Sequence, residues 1–215
     1  MRKRIGRIAL FSSLGIVLAF LVYVGQDYAR RIPVTPEEQH VAAVHEAAHI
    51  VAHSALNSGF KISYVWIATS HKPEGFLGLT ASHHANRPLT VKELRDRAIA
   101  ALAGCAAEKS LLGLEPEGCG GDSEKAWISC VPTCPGNTDL ACPADFIPKG
   151  QTIEGLTEIC MIESEQQAEA LVEANAGAIN RLADLIMSQR SWFGKRTIRA
   201  KAIKQFIARE HLVVP

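Results

Sequence analysis

A mainly helical α+β fold with a small β-sheet, set behind one N-terminal membrane-spanning helix, is what this sequence predicts, on three observations. Thr35 and Thr90 each stand at the head of a long helical pattern. Between them, Lys61 to Thr69 is a run of β-branched and aromatic residues. Ahead of both, Ile8 to Gly25 is apolar and carries no charge.

The apolar stretch comes first. At about 18 residues it is near the lower limit for a helix crossing the hydrocarbon of a bilayer, and long for the core of a signal peptide. No small-x-small cleavage site follows it, so an uncleaved single-pass anchor is expected at residues 8–25. Arg2, Lys3, Arg4 and Arg7 precede it in a basic segment, residues 1–7, whereas only Arg30 and Arg31 closely follow. The positive-inside rule then places the N-terminus in the cytoplasm and the main domain outside. Residues 26–34 read as a linker, and 35–211 as one domain with a cysteine-containing insert at 129–150.

Within the domain, Thr35-Pro36-Glu37-Glu38 is a helix start, with Thr35 as cap, Pro36 in the first turn and Glu38 completing a capping box. The helix runs from Pro36 to about Leu56 and ends at Asn57-Ser58-Gly59. Lys61 to Thr69 is the first strand and Gly75 to Ser82 the second. Thr90 caps a second helix, Val91 to about Leu112, rich in alanine. Asp122 to Ile128 opens a third, and Pro132 to Gly150 is irregular. Apolar stripes predict helices from Glu163 to about Arg190 and from Thr197 to about Arg209. Charge excludes one class of partner. Lys and Arg number 23 against 22 acidic residues, which gives no electrostatic reason to expect nucleic acid.

His45-Glu46-Ala47-Ala48-His49 is an H-E-x-x-H motif inside the first helix. Histidines four apart lie one turn from each other on one face, so both imidazoles can bind a single tetrahedral zinc ion, Zn2+. Glu46 can then serve as general base toward a zinc-activated water. Chance produces such a match in about one chain in a hundred of this length, and placement in a capped helix lowers that rate. A catalytic zinc needs a third protein ligand. His53 lies about two turns from His45 and reads as a packing or surface histidine. Downstream, Glu108 and Asp122 are the candidates. Asp122 suits an N-cap as well as a ligand, and spacing does not separate the two. Glu108 reads first as a salt-bridged or solvated helix residue.

Taken together, the His45 to His49 motif, Gly104-Cys105-Ala106-Ala107-Glu108 and Gly120-Gly121-Asp122-Ser123-Glu124-Lys125-Ala126 resemble, in order and interval, the peptidase domain of the FtsH-type AAA proteases. The likeness covers about residues 36–128 and 160–211. It implies His45, His49 and Asp122 as zinc ligands, Glu46 as catalytic base and a supporting role for Glu108. It also implies a mostly helical fold whose edge strand, within Ile62 to Thr80, holds an extended substrate by backbone pairing. Ala48 stands where that family usually has Gly, a change that costs a helix nothing. No G-x-x-x-x-G-K-[ST] phosphate loop occurs, so ATP dependence is not implied. Family precedent puts such domains on the cytoplasmic side, opposite to the charge rule.

The expected function is a membrane-anchored zinc metalloendopeptidase. Its substrates would be unfolded or membrane-associated proteins, cleaved alone, as a homo-oligomer or with a separate AAA ATPase partner. The competing reading is a catalytically silent metal-binding assembly or adaptor module. Glu46 weighs against it, because a structural zinc needs no base and has its four positions filled by protein. Cys119, Cys130, Cys134, Cys142 and Cys160 gather around the insert. They read as disulfide partners in an oxidising compartment, in preference to a second zinc site. Cys105, in the alanine-rich helix, reads as a buried small hydrophobe.

Overall fold

The computed structural model describes residues 34–70, 77–84, 87, 89–115, 119–131 and 151–215. The expected span at 8–25 and the irregular segment at 132–150, with Cys134 and Cys142, lie outside them. Among the described residues, no helix is long and apolar enough to cross a membrane.

Helix α1 (Pro36–Ala55) begins with a closed capping box. The Glu38 amide donates to Thr35 Oγ1 at 3.1 Å, and the Thr35 amide donates to Glu38 Oε2 at 2.7 Å. Caps of this kind contribute about 1 kcal/mol each. Strands β1 (Lys61–Ala68) and β2 (Gly78–His83) then pair antiparallel, with an irregularity between Ile62 and Tyr64. Helix α2 (Val91–Leu112) has a second capping box, made by Thr90 and Glu93. After it come α3 (Gly120–Cys130), α4 (Ile153–Ala174), α5 (Ala176–Met187), β3 (Lys195–Arg199) and α6 (Ala200–Ile207). Strand β3 pairs antiparallel with β1 on the side away from β2, giving the order β2-β1-β3. The fold is mainly helical with a small three-stranded antiparallel sheet.

Helix α1 packs on α2 and α5, and α2 on α3 and α4. Small residues stand on the facing sides of the first of these contacts: Ala48 and Ala52 on α1, which share the face of His45 and His49, and Ala100, Ala103 and Ala107 on α2 are fully buried. With no bulk between them, the two backbones come within reach of each other's side chains, which matters at the site below. Larger groups fill the rest of the core. Ile50, Ile179, Leu182 and Ile186 have no exposed surface, each contributing about 2 kcal/mol by burial.

Four sequence expectations are corrected. The helix expected from Glu163 to Arg190 starts ten residues earlier and breaks at Asn175, whose amide side chain donates to the carbonyls of Leu171 and Val213. The helix expected from Thr197 is a strand first: Lys195–Arg199 joins β1, burying only Ile198. Helix α3 starts at Gly120, so Asp122 lies inside its first turn and is not its cap. Cys105 is not a free hydrophobe but is bonded to Cys119, tying α2 to the residue before α3. A second disulfide, Cys130–Cys160, ties the end of α3 to α4.

Candidate metal centre

Helix α1 presents His45 and His49 one turn apart toward α2 and α3. His49 reaches the α2 backbone, where its Nδ1 donates to the Ala100 carbonyl at 2.7 Å. A carbonyl only accepts, so this bond fixes the proton on Nδ1 and leaves the Nε2 of the neutral ring as a lone pair. His45 Nδ1 lies 2.6 Å from Glu108 Oε1, near the end of α2. The carboxylate is again the acceptor, and the His45 Nε2 is likewise turned inward.

Those two nitrogens face each other at 3.0 Å, and Asp122 Oδ2 closes the triangle, 3.0 Å from His45 Nε2 and 3.4 Å from His49 Nε2. Lys125, one turn along α3, donates to the other Asp122 oxygen at 2.7 Å and so holds Oδ2 toward the histidines. Three such atoms need a positive charge between them, carried either by a proton on His45 Nε2 or by a bound cation. Metal bonds of about 2.0–2.1 Å in tetrahedral geometry separate their donors by about 3.3 Å, so the triangle has the right size for one ion. The demand for positive charge registers in the side chains themselves. Burial opposes charge on His45, but Asp122, Glu108 and Glu46 outweigh it and push its pKa up to about 10. Burial also opposes charge on Asp122, yet His45, His49 and Lys125 hold its carboxyl well below the usual carboxylate range.

Compared with known proteins, the chain matches no family model and no curated sequence.

Glu46 is buried beside this cluster, and its Oε2 is, among the described residues, the one buried side-chain oxygen or nitrogen with no hydrogen-bond partner. Leaving such an atom unpaired costs about 1–3 kcal/mol, so this oxygen is available to accept from a water or ligand that enters the site. Two glycines make room for the groups. A Cβ on Gly104 would stand 2.5 Å from His45 Nε2, and one on Gly78 would stand 2.6 Å from Glu46 Oε1. Gly78 is the first residue of β2, an edge strand, so the Glu46 carboxylate lies against the face of that strand at its start.

His45, Glu46, His49 and Asp122 are thus brought together, and Glu108 supports His45 from behind. His53 is apart, its Nδ1 2.9 Å from Ser58 Oγ and its ring beside Phe60. Sequence reasoning missed the Ala100 carbonyl, Lys125 and Gly78. Lys125 and Gly104 lie within motifs already singled out. Nothing in the sequence marks the Ala100 backbone as a partner.

Proposed function

We propose that the chain is a membrane-anchored zinc metalloendopeptidase, with His45, His49 and Asp122 as ligands and Glu46 as general base. One observation carries the reading: three atoms able to ligate a metal, from two helices, meet in a triangle sized for a tetrahedral ion, next to a buried carboxylate oxygen that has no partner. A structural metal site would leave that oxygen without a use.

When bound, zinc supplies a Lewis acid that acidifies water and polarises the scissile carbonyl. The protein does the rest. His45 and His49 keep their lone pairs inward because Glu108 and Ala100 hold the protons on Nδ1, an arrangement that also raises ligand basicity. Glu46 Oε2 accepts the proton of the attacking water and returns it to the leaving amine. Strand β2 offers its outer edge to an extended peptide, and the bare Gly78 lets that peptide approach Glu46.

The order of the three segments, H-E-x-x-H on α1, Glu108 near the end of α2 and Asp122 in the first turn of α3, supports a domain of the FtsH-type peptidase kind. Its substrates are then unfolded or membrane-associated proteins, delivered by diffusion or by a separate ATPase, with residues 8–25 holding the chain at the bilayer. Glu46→Gln tests the mechanism. It should retain zinc and lose casein cleavage by about a hundred- to ten-thousand-fold; undiminished cleavage rules the mechanism out.

A further inference from the structure

The Cys105–Cys119 disulfide adjoins the metal cluster. Cys105 follows Gly104, which lies against the His45 ring, and Cys119 comes three residues before Asp122. Both sulfurs and a ring nitrogen of His45 lie within 4.8 Å of one another, and all three residues are half-buried. As a disulfide, the pair is uncharged and a poor metal ligand, and it pins the start of α3 to α2 so that Asp122 is held in place. As thiolates, the same sulfurs would form, with His45, a soft donor set that suits zinc better than a carboxylate does. His45 belongs to both sets, so one ion cannot satisfy them together.

We propose that Cys105, Cys119 and His45 form a second, silent site for a divalent metal, open only while the two cysteines are reduced, and that forming their disulfide transfers the metal to His45, His49 and Asp122. The inference rests on the zinc reading of that triad and adds its control. Activation is a thiol–disulfide exchange. The two thiolates give two electrons to a disulfide oxidant, which takes up two protons and leaves as its two thiols; one S–S bond breaks in the oxidant as one forms between Cys105 and Cys119. A peptidase built this way is idle in the reducing compartment where chains are made. It switches on in an oxidising one, the side to which the N-terminal charges assign the domain.

The Cys130–Cys160 bond belongs to neither metal-binding group found among the described residues, and serves as the control. The full chain in detergent is loaded with cobalt(II) in place of zinc and followed by absorbance and casein cleavage. Oxidised protein should bind cobalt without a thiolate-to-cobalt charge-transfer band and should cleave. Reduction with a phosphine, which adds no competing thiol, should bring up that band and lower cleavage by at least about tenfold, both reversing with oxidised glutathione. The Cys130→Ser/Cys160→Ser protein should respond in the same way, and Cys105→Ser/Cys119→Ser should show no band when reduced. Reduced protein that keeps the oxidised spectrum and rate overturns the switch and leaves the zinc reading standing. Oxidised protein that binds no cobalt overturns both.

Discussion

Gly104 on α2 lies so close to the His45 ring that any side chain there must displace the imidazole, since its β-carbon would fall 2.5 Å from Nε2. In a helix interior Gly is about 1 kcal/mol worse than Ala, so this position sacrifices helix stability to make room for the His45 ring, a ligand of the proposed centre. Gly104→Ala should therefore separate two quantities. Helix propensity favours the variant, while zinc affinity should fall about ten- to a hundredfold, as for a misplaced ligand. Competition against a fluorescent chelator measures the affinity, and a value equal to the parent's refutes the seating argument.

Gly78 and Glu46 make the corresponding pair on the catalytic side. Gly78→Ala pushes on the base and leaves the histidines alone. Zinc content should stay stoichiometric while kcat falls by about tenfold or more, because misplacing a reacting group by about 1 Å costs up to a hundredfold. Metal analysis beside steady-state kinetics checks this, and loss of zinc would show that Gly78 supports the metal instead.

Glu108 holds His45 Nδ1, 2.6 Å away, and in the proposed centre it would act on a metal through that ring. Glu108→Ala should weaken zinc binding about ten- to a hundredfold. Glu108→Gln retains an oxygen that accepts from Nδ1, so it should recover much of the loss. Equal deficits in the two variants would mean that the negative charge, and not the orientation, is what the site uses.

His53 governs a pH effect. Burial, aided by the electrostatic effect of His49 and Arg97, lowers its pKa from 6.5 to about 3. Between those values the unfolded chain binds a proton that the native state refuses. The contribution to stability is then complete above pH 6.5 and is lost as pH falls toward 3, with a slope of up to about 1.4 kcal/mol per pH unit. Urea midpoints measured from about pH 4 to about pH 7 should rise less steeply for His53→Asn than for the parent. Parallel curves would show that His53 does not titrate in this way.

What the sequence disclosed was local. Thr35 with Glu38, and Thr90, announce their helices because cap and partner lie within one turn, and the spacing of His45 and His49 is a property of a single helix. Features made by distant pairings were hidden. Strand β3 is polar apart from Ile198, and its partner β1 lies some 130 residues earlier, so its alternation resembled an amphipathic helix more than an edge strand. Asn175 breaks a continuous apolar stripe because it bonds the Val213 carbonyl and amide near the C-terminus. Cys105 looked like packing because its bond depends on how the chain between α2 and α3 brings Cys119 back. Asp122 was ambiguous for the same reason: cap and ligand differ only in where helix α3 starts.

Two of the three donors ride on α1, buried along most of its length, while the third rides on an eleven-residue helix. In the proposed centre an arriving ion would meet two prongs on one buried helix and a single arm from another. Because disulfides tie both ends of α3, the residence time of an ion at the proposed centre would depend on how firmly those two bonds hold the arm.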